Sequence, residues 1–275
     1  MNKEVSVVKP FLRWAGGKTW LTNHIEELLP KKINNYYEPF LGGGAIFFYL
    51  KSKGLITGKC YLSDSNEELI NTYKVIKKYP SELFELLKEH SNTEEEYYRI
   101  RSTIYTDDIQ RASKFIFLNR TSFNGIYRVN KEGGYNVPFG YRKLVKLYDF
   151  EHLMKVSGLF KNCFFTVKDF KKVIYKVEKD DLVFIDPPYT VAHENNGFIH
   201  YNQSLFSWEN QVELSKMLVD IKNKNANYIM TNASHASIEE LYNDKGKKTI
   251  LSRASTIGGI GANRTKYKEL IYTNF

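Results

Sequence analysis

Short apolar runs, each closed by glycine, proline or a polar residue, alternate along this chain with longer stretches in which apolar and charged positions interleave. The runs predict strands at Tyr36–Glu38, Cys60–Ser63, Cys163–Thr166, Leu182–Ile185, Asn227–Met230, Lys248–Leu251 and Glu269–Thr273. The interleaved stretches predict helices over Lys18–Leu29, Ala45–Lys53, Glu67–Lys77 and Ser207–Lys222, the last with Ser207 as its N-cap. Strands that alternate with helices make an α/β fold around a mainly parallel sheet.

The alternation breaks between about Ser81 and Phe150. Helical segments such as Glu94–Tyr105 and Ile109–Ser122 follow one another there with no strand between them, which reads as an inserted helical subdomain. It ends in Ile126–Phe139, where Lys131-Glu132-Gly133-Gly134 sits between arms bearing Tyr and Val and suggests a β-hairpin. The chain therefore divides into a sheet-bearing domain, 1–66 and 160–275, and an insert, 67–159. No internal repeat, low-complexity tract or linker-like stretch argues for a different division.

With 275 residues the chain can bury a sizeable core. Lys plus Arg number 40 against 31 Asp plus Glu, and the resulting net charge of +9 suits a polyanionic partner without requiring one. Met1 to Val5 open no apolar leader, and no run of eighteen apolar residues occurs, so no membrane segment is expected. The two cysteines, Cys60 and Cys163, have neither metal-ligand spacing nor a disulfide framework. Neither follows a proline, which argues against the thiol chemistry of cytosine carbon-5 methylation.

The densest chemical signal is Asp186-Pro187-Pro188-Tyr189, directly behind the apolar run Leu182–Ile185. It places an acceptor-only carboxylate on a rigid backbone at a strand's carboxyl end, where open α/β sheets bind ligands. The first proline leaves its carbonyl free as a second acceptor, and two fixed acceptors suit an amino group. Tyr189 could stack on a base; equally, the string alone could be a strand ending in a Pro-rich turn. Upstream, Tyr36 to Gly44 reads as strand, glycine turn and helix start, so a ligand could approach the backbone at a helix N-terminus. The dinucleotide fingerprint is absent, since Phe47 stands where its third glycine belongs. Asp64, twenty positions past Gly44 at the end of the next strand, is where an acidic residue bonds ribose hydroxyls, although a helix cap would also explain it. Gly17-Lys18-Thr19 ends like a P-loop, but Leu12 occupies the place of the required earlier glycine.

Phe11-Leu12-Arg13-Trp14-Ala15-Gly16-Gly17-Lys18, Tyr37-Glu38-Pro39-Phe40-Leu41-Gly42-Gly43-Gly44, Leu118-Asn119-Arg120, Phe123-Asn124-Gly125, Asn136-Val137-Pro138-Phe139-Gly140 and Asp186-Pro187-Pro188-Tyr189 stand in one order. Together they resemble the Dam-type (class α, D12) DNA adenine-N6 methyltransferases, and the likeness spans nearly the whole chain, insert included. It implies a Rossmann-like seven-strand methyltransferase sheet with an inserted, mainly helical target-recognition domain ending in a β-hairpin. It also implies S-adenosyl-L-methionine as donor, double-stranded DNA as partner, no metal, and a cytoplasmic enzyme of a bacterium or phage-infected cell.

The same resemblance assigns residues. Trp14 and Lys18 belong to the segment that closes over the donor's methionine part, with Lys18 near its carboxylate. Glu38, Phe40, Gly42 and Gly44 match the donor loop, Asp64 the ribose ligand, and Asp169 and Phe170 the contact with the donor's adenine. Asp186, Pro187 and Tyr189 match the catalytic motif, Asp186 also bordering the donor. In the insert, Arg120, Asn124, Tyr127, Arg128, Asn136, Pro138, Tyr141 and Arg142 crowd the hairpin and its approach. Arginine suits bidentate contact with guanine, and a hairpin can enter the major groove; a merely solvated basic hairpin is the alternative. By resemblance Arg128 reads a guanine, Phe123 wedges beside a flipped base, Arg13 replaces a lysine near the first guanine, and the target is GATC. The family tends to read Arg-Tyr after Phe139-Gly140, whereas this chain has Tyr141-Arg142, which leaves open which of the two meets the thymine. Two further loops draw notice: Thr190–Ser204 as a cover for the target base, and Arg253–Lys266 as a phosphate-tracking segment or a strand connection. Competing functions are methylation of another amino group, such as cytosine N4 or RNA adenine, a catalytically silent DNA-binding module, and, more distantly, a nicotinamide oxidoreductase.

Overall fold

The computed structural model describes residues 6–130, 132–142, 147, 149–190, 206–254 and 266–275. Seven strands, β1 (Tyr36–Glu38), β2 (Cys60–Asp64), β3 (Cys163–Val167), β4 (Leu182–Ile185), β5 (Asn227–Ala233), β6 (Lys247–Ala254) and β7 (Lys266–Thr273), form one sheet in the order β3-β2-β1-β4-β5-β7-β6. The α-helices among the described residues are α1 (Ala45–Ser52), α2 (Glu67–Lys78), α3 (Pro80–Lys88), α4 (Glu94–Ser102), α5 (Asp108–Thr121), α6 (Phe150–Leu159), α7 (Trp208–Asn223) and α8 (Ala236–Leu241). All seven expected strands are present, and among the described residues between β2 and β3 helices follow one another with no strand of the sheet between them. The chain divides into two compact units, Met1–Thr22 with Leu41–Leu55 and Ser63–Val167, and Asn23–Phe40 with Ile56–Leu62 and Lys168–Phe275.

β1 pairs in parallel with both β2 and β4, and β4 in parallel with β5. β7 departs from the parallel pattern: it runs antiparallel to both β5 and β6. An antiparallel pairing of consecutive strands, unlike a parallel one, needs no crossover helix. All four residues of β4 are buried, as a strand covered on both faces requires. The carboxylate of Asp181, fully buried at the amino end of β4, accepts the main-chain and side-chain N–H groups of Asn35 at 2.9 and 3.0 Å and the Glu178 N–H at 2.9 Å. Those three donors offset the burial of its charge and tie β4 to the start of β1.

Local signals set the helix starts. Asn66 accepts the Leu69 N–H at 3.0 Å, Asp107 accepts from Ile109 and Gln110, and Ser207 caps α7 as expected. The helix expected over Lys18–Leu29 is instead two short 3-10 turns, Thr19–Asn23 and Ile25–Leu28, parted at His24. The Thr22 hydroxyl donates to the Thr19 carbonyl at 2.7 Å, offering the backbone a local alternative to the α-helical ladder. The hairpin over Ile126–Phe139 is a ribbon bridged at Val129 and Tyr135, with Asn136 N–H donating to the Arg128 carbonyl at 3.1 Å, rather than a regular two-strand ladder. Among the described residues no helix is long and apolar enough to cross a membrane.

Gly58, just before β2, leaves no room for a side chain: a Cβ there would lie 1.9 Å from the Asn34 carbonyl oxygen. Gly58→Ala is expected to lower stability by about 1–3 kcal/mol, as overpacking against a backbone atom does, measurable as a shifted denaturation midpoint with an unchanged slope.

Candidate active site and nucleic-acid interface

β1 and β4 are neighbours, yet β1 continues the sheet toward β2 and β4 toward β5. In open α/β sheets ligands bind beyond the carboxyl ends of strands at such a reversal of order, and Asp186 follows β4 directly at that point. Asp186 is half-buried rather than sealed in the core, and its Oδ1 accepts the Thr231 hydroxyl of β5 at 2.7 Å. Thr231 is fully buried, so the donor is fixed and the carboxylate rotamer with it. Tyr189 is likewise tethered: its hydroxyl donates to Oε2 of Glu269, a fully buried carboxylate on β7, at 2.6 Å. Pro187 is buried and Pro188 half-buried between these two anchors.

The same unit holds four expected donor residues. Glu38 is buried at the end of β1 and accepts the Tyr36 hydroxyl at 2.8 Å. Burial first, and then the Glu38 charge, pushes the Tyr36 phenol well above its ordinary value. Phe40 packs on Phe170 at a centroid distance of 5.2 Å, and Phe206 meets both rings at 5.5 and 5.4 Å. Asp169 is exposed and caps a short turn through the Lys171 N–H at 2.9 Å.

The glycine loop belongs to the other unit. Gly42 and Gly44 adopt φ of +47° and +67°, which side chains with a Cβ rarely take, and Gly44 is the N-cap of α1. The half-buried Asp64 accepts the Gly42 N–H through Oδ2 and the Asn66 N–H through Oδ1, both at 3.0 Å. Burial raises its carboxyl pKa against the opposing pull of those N–H groups. A carboxylate offers about four lone-pair sites, so two N–H donors leave capacity for hydroxyls. Trp14 lies over the loop: a Cβ on Gly42 would stand 2.6 Å from the indole Nε1. Lys18 is buried with its amine donating to the Gly16 carbonyl at 3.0 Å. Among the described residues no cluster of three or more His, Cys, Asp or Glu could hold a metal ion.

In the ribbon, Arg128 donates to the Asn136 side chain at 2.8 Å and its carbonyl at 3.3 Å, which joins two of the expected DNA residues. Phe123 is 52% exposed, and Asn124 beside it takes φ of +55°. Pro138 is exposed, as is Arg13. Tyr141 is 66% exposed and bonds Glu94, whereas the Arg142 guanidinium turns inward onto the carbonyls of Arg120 and Ser122. Burial and then repulsion from Arg13 lower the pKa of both Arg120 and Arg142, so three guanidinium groups crowd one region. Tyr127 stacks on Trp14. The loops at Thr190–Ser204 and Arg253–Lys266 lie almost entirely outside the described residues.

Sequence reasoning gave no site role to Thr231, Glu269, Phe206 and Asn119. A carboxylate beside an apolar run, as Glu269 is beside Leu270–Tyr272, was the available signal for one of them. Asn119, buried at the end of α5, accepts the Arg13 N–H at 2.9 Å and donates to the Arg13 carbonyl at 2.8 Å and the Gly125 carbonyl at 3.1 Å.

A sheet of this order with an Asp-Pro-Pro-Tyr exit from β4 defines a methyltransferase fold. The family model for D12 class N6 adenine-specific DNA methyltransferases matches residues 14–256, and the chain belongs to that family. It is an adenine-specific DNA methyltransferase. It is 35% identical to the Type II methyltransferase M1.LlaDCHI of Lactococcus lactis subsp. cremoris, over 100% of this chain and 98% of that protein. It is 36% identical to the Type II methyltransferase M.MjaIII of Methanocaldococcus jannaschii, with 96% and 97% covered. The DNA adenine methylase of Haemophilus influenzae is 31% identical, with 96% and 92% covered.

Thr231→Val keeps the shape but removes the donor that orients Asp186. Turnover is expected to fall between about ten- and a hundredfold, the range for a hydrogen bond to a charged group. Thr231→Ser should retain most of it in the same single-turnover methylation assay.

Proposed function

We propose that the chain transfers a methyl group from S-adenosyl-L-methionine to N6 of an adenine flipped out of duplex DNA, within GATC. The observation that carries this reading is Asp186: a half-buried carboxylate at the switch point, oriented by a buried hydroxyl and followed by the Pro187 carbonyl as a second acceptor. Residues 1–66 and 160–275 are the proposed catalytic domain and 67–159 the target-recognition subdomain.

The residues present fit the donor. Asp64 has acceptor capacity left for ribose hydroxyls, the left-handed glycines leave the backbone before α1 clear of side chains so that a ligand can approach it, and Phe40 with Phe170 offers an aromatic surface for adenine. Lys18 and Trp14 would hold the methionine end. When bound, the donor supplies an electrophilic methyl group on a sulfonium.

The chain's own residues do the rest by positioning. An adenine amino group is a poor nucleophile because its lone pair is delocalised into the ring. Asp186 and the Pro187 carbonyl accept its two N–H bonds, which localises that pair and stabilises the positive charge growing on nitrogen. Tyr189, held at its hydroxyl, presents a ring for the base to stack on, and the unstacking cost of flipping is a few kcal/mol. Arg128 is assigned to a guanine, Phe123 to the gap left by the base, and Arg13, Arg120, Asn124, Asn136, Pro138 and Tyr141 to the surrounding duplex. The inward turn of Arg142 favours Tyr141 as the residue that meets the thymine.

Incubation with radiolabelled S-adenosylmethionine and defined duplexes, followed by nucleoside analysis, tests the reading. N6-methyladenine in GATC duplexes alone is expected; label in N4-methylcytosine or in RNA overturns it. Asp186→Ala is expected to abolish transfer while the thermal transition persists. Arg128→Ala should relax discrimination by about 1–3 kcal/mol at one base pair, read as the ratio of kcat/KM for GATC and its single-base variants.

A further inference from the structure

We infer that Tyr127, which its place in the ribbon assigned to DNA, is a positioning residue for Trp14, and that the stack between them couples donor binding to DNA binding. The inference deepens the methyl-transfer reading and rests on it.

The two rings lie 5.7 Å apart, centroid to centroid, and within 19° of parallel. Trp14 in turn lies against the glycine loop, where a Cβ on Gly42 would come within 2.6 Å of its Nε1 and 2.7 Å of its Cδ1, and one on Gly43 within 3.0 Å of its Cβ. The indole can occupy that place because the loop has no side chains. Tyr127 is itself fenced by Phe115 of α5 at 5.2 Å and by Tyr135 at 5.7 Å. Tyr135 is anchored through its hydroxyl to the Ile126 carbonyl at 2.6 Å. A ring packed among three aromatic neighbours is poorly placed to read a base edge and well placed to hold an indole.

The backbone on either side of this stack is tied together as well. The Asn119 side chain bonds Arg13 through both its N–H and its carbonyl, and also bonds the Gly125 carbonyl. A Cβ on Gly125 would meet Arg13 Cδ at 2.7 Å. The segment carrying Trp14 and the start of the DNA-reading ribbon are therefore held through the same side chain, and a shift of the ribbon on DNA reaches the indole over the donor loop. Coupling of this kind is reciprocal: whatever factor DNA adds to donor affinity, donor adds to DNA affinity.

The test uses the full-length protein and S-adenosylhomocysteine, so that no turnover intervenes, with its Kd measured by calorimetry with and without a GATC duplex. Tightening by the duplex is expected in the wild type. Tyr127→Ala should weaken S-adenosylhomocysteine by about two- to tenfold, the worth of one aromatic pair, and remove most of the tightening. Tyr127→Phe, which keeps the stack, should preserve both. Should the alanine variant fail to fold, Tyr127→Leu fills the space between Phe115 and Tyr135 without a stacking face and is expected to behave as alanine does. Unchanged S-adenosylhomocysteine affinity and coupling, with only duplex binding reduced, overturns the inference, as does a wild type without coupling. Failure of the wild type to bind S-adenosylhomocysteine at all would sink the methyl-transfer reading instead. The stack would still be open to test without any ligand, as a change in Trp14 emission on Tyr127→Leu in a Trp20→Phe, Trp208→Phe background; no change overturns it.

Discussion

The reversal of strand order between β1 and β4 is the constraint on which the site depends. The register pairs Tyr36 with Leu182 and Tyr37 with Val183, and Asp181 holds that register from the amino end through three N–H donors. A slip of one residue would turn every side chain of β4 to the opposite face. Glu38 and Asp186 leave the sheet at the same edge because β1 and β4 run parallel, and the buried Asp181 carboxylate helps to hold their register.

Beyond that edge, the exit from β4 is stiffened by polar groups buried in the protein rather than by packing alone. Gln211 of α7 donates to Thr190 at 3.1 Å, accepts from Asn232 at 3.1 Å, and accepts from Tyr242 at 2.7 Å. Thr190, the residue after Tyr189, donates to the Phe206 carbonyl at 2.9 Å. Each of these groups would be costly to bury alone, and together they are satisfied. Fixing Thr190 on one side and Thr231 and Glu269 on the other leaves Asp186 and Tyr189 little freedom to reorient. Catalysis by placement requires such stiffness.

Much of this was legible in the chain. The fully apolar Leu182–Ile185 ending at Asp186 could only be a buried strand feeding a turn, and all seven apolar runs became strands. Ser207 advertised the start of α7 because a hydroxyl before an amphipathic stretch satisfies an orphan N–H. The failures have a common cause. Thr231 and Glu269 acquire meaning only from partners 45 and 80 residues away, and no local pattern encodes a separation of that kind. The α-helix expected over Lys18–Leu29, where two 3-10 turns stand, reflects the opposite: a threonine hydroxyl competing for the backbone at short range, which apolar spacing does not register. In the ribbon, place and resemblance put Tyr127 and Arg142 among the expected DNA residues, and their contacts within the protein, an indole and two carbonyls, depend on how the chain folds back.

The long sequence separations behind the Asp186 and Tyr189 anchors bear on how the molecule matures. Helices such as α2 and α5 can organise from contacts near in sequence, but these two anchors close only after β5 and β7 have docked, and non-local closures of this kind come late. Enzymatic turnover should therefore be among the last properties a refolding population recovers, trailing far-ultraviolet ellipticity. It would serve as a stringent gauge of native tertiary order in this protein.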